Sequence, residues 1–278
     1  MGMDGPHEFE SWRSYWNFAR SVSRDFRYVR TPEVEAFLAT VLETSHSRRT
    51  EIPHGRLFWR AQLGHAWRPI SSFDRDEMPC AHPRERMKPL PDRATDGRVN
   101  PRGIPCLYLA TTQQAAMCEV RPWIGSHVSL GQFQTTRPLT VIDCSRRHAE
   151  NPFHFKIDDP TYEPSPQQRL EAVWAHIDRA FAEPMTRSDD QADYAATQIL
   201  AELFKQAGVD GVVYKSNFGD NGFNVALFDP GAADLTYCAL HELKTVAPTF
   251  TEVGDAYWVS KPADNEDTSS GGGTDNTG

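Results

Sequence analysis

Between residues 7 and 29 the apolar positions Phe9, Trp12, Trp16, Ala19, Val22 and Phe26 fall three or four apart, with Arg, Ser and Glu between them. That spacing predicts an amphipathic helix. A second helix is predicted from Thr31-Pro32-Glu33, which supplies a capping residue, a proline at the first helical position and an acid in the first turn. Val34, Phe37, Leu38, Val41 and Leu42 form its apolar stripe. Together the two make a helical N-terminal extension over residues 1–50, and Ser45 to Pro53 reads as its join to the main domain.

From Arg56 the period shortens. Arg56 to Ala61, Cys106 to Ala110, His127 to Thr135, Leu139 to Cys144, Gly211 to Tyr214 and Asn224 to Phe228 are short apolar runs that predict strands. Helices are predicted between them: one from a cap at Thr111 or Thr112 through Val120, one carrying Leu170, Val173, Trp174, Ile177 and Phe181, and one from Tyr194 to Ala207 stopped by Gly208. The irregular alternation predicts an α+β fold, a mixed β core with surrounding helices, and not a regular βαβ series. No internal repeat is present. Asp74 to Arg102 is rich in proline and charge and predicts a long surface loop, which makes it a functional suspect. Residues 145–193, with Pro152, Pro160, Pro164, Pro166 and Pro184, read as a further insertion of undetermined role. Either segment is a candidate to close over a substrate site. A main domain over 51–260 is expected, followed at 261–278 by an acidic, Gly-rich tail without apolar residues beyond Ala263, which is expected to be disordered.

Composition narrows the class. The chain of 278 residues is 39% hydrophobic, enough for a core, and carries a net charge of −9, of which Asp264, Glu266, Asp267 and Asp275 in the tail contribute four. This balance argues against broad binding to nucleic acid or to an anionic membrane. With no long uncharged apolar stretch and no basic-then-apolar start, a cytoplasmic protein is expected. Five scattered cysteines without a C-x-x-C pair predict neither disulfides nor a structural metal, and Cys80-Ala81-His82 lacks two further ligands.

The common catalytic signatures are missing: no G-x-G-x-x-G after a strand, no Walker lysine loop, no G-x-S-x-G, no H-E-x-x-H. Phe218 to Phe223 contains two glycines but reads as a hairpin turn. Arg49 and His54 have a spacing found in some helical ribonucleases, yet Pro53 would end the helix such a site needs. What remains is dispersed: Arg60 on the first long strand, Tyr108 on the second, Glu119 at the end of the next helix, and Ser216 just after a late strand. Each has a plain structural reading as an ion-pair member, sheet packing, a solvated acid or a turn residue.

Their context points elsewhere. The run Gly97-Arg98-Val-Asn100-Pro-Arg-Gly103-Ile-Pro-Cys-Leu-Tyr108-Leu-Ala110-Thr, then Ala115 and Cys118-Glu119-Val-Arg-Pro122, resembles the central motif of the RES-domain family. Tyr194-x3-Gln198-x3-Glu202, Gly208-Val-Asp-Gly211-Val-Val-Tyr214-Lys-Ser216 and Asn224 to Phe228 are similar to its downstream pattern, in the same order, so the likeness spans about residues 56 to 230. The resemblance implies an ADP-ribosyltransferase-like fold and a toxin of a toxin–antitoxin pair. Such a toxin binds NAD+ as substrate, without a metal, and cleaves its nicotinamide bond by hydrolysis or phosphorolysis, or transfers ADP-ribose to a protein. It also implies a protein antitoxin. By motif position the family's Arg, Tyr, Glu and Ser fall on Arg60, Tyr108, Glu119 and Ser216, with Arg98 and Asn224 as further substrate contacts. Guanidinium chemistry suits Arg60 to the diphosphate, the Tyr108 ring to the cationic pyridine, and the Glu119 carboxylate to positive charge developing on the ribose. The Ser216 hydroxyl suits an amide or ribose contact. Tyr194 and Gln198 share a helix face, where packing is the simpler reading. The N-terminal aromatics either cap the core or form a homo-oligomer or antitoxin surface. A non-catalytic module that binds NAD+ or ADP-ribose is the alternative of another class.

Overall fold

The computed structural model describes residues 8–70, 76–148, 150, 152, 162–183, 191–218, 222–247, 251 and 254. The α+β expectation holds: helices surround an eight-stranded mixed sheet. The chain divides into two units, Met1–Thr245 and Val246–Gly278. The expected tail of 261–278 lies outside the described residues.

The first helix, α1 (Ser14–Arg20), is shorter than the apolar spacing predicts and continues as a π-turn over Ser21–Asp25. Its start is set by local polar chemistry. The Ser11 hydroxyl accepts from Arg13 N at 3.1 Å and the Ser14 hydroxyl from Ser11 N at 3.1 Å, so side chains occupy the amides that an earlier helix would use. In α2 (Pro32–Ser45) the Thr31 hydroxyl accepts from Val34 N, as expected of a cap. The expected join is instead a short helical turn and a strand, β1 (Arg49–Ile52).

The six predicted strands appear as β2 (Leu57–Leu63), β5 (Leu107–Ala110), β6 (His127–Thr135), β7 (Leu139–Asp143), β8 (Gly211–Lys215) and β9 (Phe223–Leu227). Three more lack a clear sequence signal: β3 (Ala66–Pro69), β4 (Glu77–Cys80) and β10 (Ala233–Glu242). The segment expected to be one long loop therefore contains β4 and a helical turn, α3 (Arg84–Met87), and β4 pairs with β3 as a separate hairpin. The three predicted helices are α4 (Gln113–Glu119), α5 (Pro166–Ala182) and α6 (Ala195–Gln206). Thr112 caps α4 through Ala115 N at 3.1 Å, a Ser165/Gln168 capping box starts α5, and Gly208 leaves α6 at φ +78°.

The sheet order is β1-β7-β8-β9-β5-β2-β6-β10, with β7 and β8 parallel and the other neighbours antiparallel. At its centre β2 and β5 share only the pair Trp59↔Ala110, so the sheet opens there. Helices α1, α2, α5 and α6 bury Phe18, Phe37, Trp174 and Phe204 over one face, against Ile142, Val212 and Tyr214. Phe58, Leu107, Phe133 and Leu227 fill the other face, while on the same face as Tyr214 Ala115 and Ala116 of α4 pack on Ala61, Ala110 and Leu130. Burial of this kind stabilises by roughly 1.5 to 3 kcal/mol for each large side chain.

His176 of α5 is enclosed by the N-terminal aromatics. Trp16 Nε1 lies 3.1 Å from its ring nitrogens, and Trp12 and Tyr15 stack on it at 6.3 and 6.4 Å. Burial pulls its pKa down from 6.5 to about 4. Above pH 6.5 both folded and unfolded chains hold it neutral. Between pH 6.5 and about 4 the unfolded chain takes the proton first, so stability falls with acidity, by roughly 3 kcal/mol over the window. Denaturant midpoints measured from pH 7 to 4.5 are expected to fall more steeply for the parent than for His176→Gln; parallel slopes would contradict this.

Candidate functional site

Cross-strand register places Tyr214, Asn224 and Ala110 side by side on β8, β9 and β5, on the face that α4 covers in part. Glu119 is the last residue of α4. A carboxylate there sits at the negative pole of the helix, the wrong end for its charge. Two donors from the sheet side compensate. Asn224 Nδ2 donates to Glu119 Oε1 at 2.6 Å and the Ser216 hydroxyl donates to the same oxygen at 3.3 Å. Asn224 is 5% and Ser216 2% exposed, so both donors are fixed by packing, whereas Glu119 is half-buried. Oε2 has no partner among the described residues. The chain then leaves α4 through Arg121 at φ +47°, a left-handed conformation uncommon without glycine.

Glu119, Ser216 and Asn224 thus meet through their side chains. Arg60 and Tyr108 form a second group. Arg60 reaches into the opening between β2 and β5, where Nε donates to the Met87 carbonyl at 2.9 Å and Nη1 to the Tyr108 carbonyl at 3.0 Å. Burial lowers its pKa to about 10, so it remains charged at neutral pH. Nε and one Nη1 hydrogen are committed inside the protein, which leaves Nη2 and the second Nη1 hydrogen for any contact with a diphosphate. The Tyr108 hydroxyl donates to Asn100 Oδ1 at 2.7 Å and accepts from Val99 N at 3.0 Å, so it holds the 97–100 loop. Burial pushes this phenol well above its ordinary pKa.

Among the described residues no hydrogen bond or ion pair joins Arg60 to Glu119. Burial raises the pKa of Tyr214, Arg98 opposes that rise by its charge and by a hydrogen bond, and the Glu119 charge adds to it. Arg98 also donates to the Phe181 carbonyl at 3.0 Å and Asn217 Nδ2 to the Ala182 carbonyl at 2.8 Å, which satisfies the open end of α5. Arg98 is therefore a brace between helix and sheet.

Gln198 does more than the packing role its helix face suggests. Its Nε2 donates to the Gly97 and Asn100 carbonyls at 2.9 and 3.0 Å and ties the loop to α6. The signal available in the sequence is its position four residues after Tyr194. Gly97 carries no chemistry of its own, yet a Cβ there would meet Tyr108 Oη at 2.5 Å and Asn100 Oδ1 at 2.9 Å. Gly97→Ala is expected to cost about 1 to 3 kcal/mol, read as a lowered denaturation midpoint. An unchanged midpoint would show that the loop moves without penalty.

Two cavities lie near this region. One of about 150 Å³ is lined by Asn100, Cys106 and Lys205. The other, of about 1050 Å³, extends from Asn217, the neighbour of Ser216, along α5. All five thiols are free, and among the described residues no group of three or more His, Cys, Asp or Glu is placed to hold a metal ion. Arg49 lies on β1, so no helix relates it to His54. No described helix is long and apolar enough to cross a membrane.

The family model described as the RES domain matches residues 57–244. No curated protein matches the chain. Among solved structures, the chain is similar to one from the crystal structure of the M. tuberculosis MbcT-MbcA toxin-antitoxin complex. The identity is 18%, with 73% of this chain and 92% of that chain covered at a TM-score of 0.36.

Proposed function

The chain belongs to the RES-domain family, and from that premise we propose that it is a toxin-like enzyme that binds NAD+ and cleaves the bond between nicotinamide and ribose. The observation that carries this reading is the Glu119 carboxylate, fixed through one oxygen by Asn224 and Ser216 with the other left over. In the proposed reaction the C1′–N bond breaks and its electron pair leaves with the nicotinamide. Positive charge builds on the ribose, and a carboxylate already oriented toward it stabilises that charge without reorganising. Water or phosphate then adds at C1′ and loses a proton.

Ser216 and Asn224 position the carboxylate. The Tyr108 ring offers a face for the cationic pyridine, an attraction worth about 0.5 to 2 kcal/mol. Arg60 supports this by holding the Tyr108 backbone, and Arg98 by bracing Tyr214. Cleavage in a cytoplasmic setting would deplete NAD+ and arrest growth, which a protein antitoxin would restrain.

Incubation of the full chain with NAD+, with products separated by chromatography in phosphate and phosphate-free buffer, tests the reading. Nicotinamide is expected in step with NAD+ loss, with ADP-ribose or its 1-phosphate naming the acceptor. A labelled protein band from cell extract would assign transfer to protein instead. Intact NAD+ under all these conditions would leave a binding module.

A further inference from the structure

NAD+ carries two negative charges on its diphosphate, and Arg60 and Arg98 commit donors to backbone carbonyls. A diphosphate has more acceptor oxygens than these two partly committed guanidiniums can meet, which leaves a place for another source of positive charge. The 1050 Å³ cavity supplies one. It begins at Asn217, one residue beyond the Ser216 that touches Glu119, and its volume suits a nucleotide-sized ligand.

Its cations differ in availability. Arg147 is neutralised by Glu150 and Glu171, and Arg48 is held over the Trp174 ring at 4.4 Å with its Nη1 on backbone carbonyls. Among the described residues Arg179 is exposed and makes no ion pair, and the Arg146 side chain donates only to the Ser47 carbonyl. Opposite them, His148 turns Nδ1 to the Asp178 carboxylate. Asp178 is 4% exposed, and its Oδ1 is buried with no hydrogen-bond partner among the described residues. A carboxylate buried at that depth fixes the imidazole and leaves Nε2 for a ligand. Glu183 adds an acceptor for hydroxyl groups.

We propose that this cavity is the compartment for the nucleoside diphosphate half of the substrate, with Arg146 and Arg179 on the phosphates and His148 Nε2 accepting from a ribose hydroxyl. The proposal rests on the NAD+ reading, since that reading supplies the ligand, but it is tested without turnover. Calorimetric titration of the full chain with ADP is expected to give saturable one-site binding. The double variant Arg146→Ala/Arg179→Ala is expected to weaken it at least about tenfold and to raise the KM for NAD+ by a similar factor. Both side chains are solvent-facing, and an unchanged denaturation midpoint certifies the fold.

No ADP binding by the parent, or equal affinity in parent and double variant, overturns the proposal. The two readings fail separately. Arginine-dependent ADP binding without nicotinamide release sinks the activity and keeps the cavity, whereas normal cleavage with ADP affinity indifferent to both arginines does the reverse.

Discussion

Glu119→Gln is expected to lower the rate of nicotinamide release from NAD+ by about 10² to 10³-fold, with little change in stability. The replacement keeps the shape and an oxygen that still accepts from Asn224 and Ser216, and removes only the charge. Removing a single preorganised electrostatic group from an active site costs an effect of about that size. Beyond accepting from Asn224 and Ser216, which the glutamine retains, the charge itself has no evident structural role: it sits at the unfavourable pole of a seven-residue helix and is half-exposed. Sites that break a local rule in this way are where function is expected. Rates for parent and variant within about threefold of each other would mean that the charge is not used.

The second large effect concerns folding. Arg60→Ala is expected to destabilise the ligand-free chain by about 2 to 5 kcal/mol, because the Met87 and Tyr108 carbonyls each lose their guanidinium donor, and an unsatisfied buried group costs about 1 to 3 kcal/mol. Arg60→Lys is expected to recover only part of this, since an ammonium lacks the planar fork that reaches both carbonyls. Urea unfolding without nucleotide reads the effect. An Arg60 that served only to hold substrate would leave the midpoint unchanged, and that result would return it to the diphosphate.

Much of the fold is legible because strands buried on one or both faces read as apolar runs; Leu139 to Asp143 and Gly211 to Lys215 are examples. β10 is not. It lies at the sheet edge, half-exposed along most of its length, and a register shift between Leu235 and Tyr237 interrupts the two-residue alternation that would announce it. β1 is a polar edge strand of four residues, visible only through its pairing with β7. Apolar spacing overstates the N-terminal helix because serine hydroxyls that compete for amides do not alter that spacing.

The site divides along the same line. Glu119, Ser216 and Asn224 are legible because ordered motifs mark side chains, and these three meet through side chains. The partners of Arg60 are backbone carbonyls, which carry no residue signature, so its commitment to the 60–87–108 junction is hidden in the sequence. The cavity along α5 is equally hidden, since Arg146, His148, Asp178 and Asn217 come from three separate segments.

In the proposed mechanism a carboxylate at the end of α4 promotes departure of nicotinamide from NAD+. A proton NMR time course of NAD+ with the purified full chain tests it most directly. Free nicotinamide signals are expected to grow as those of NAD+ decline, and to stay near baseline with Glu119→Gln. An NAD+ spectrum unchanged by the parent protein, or one consumed equally fast by the variant, would contradict it.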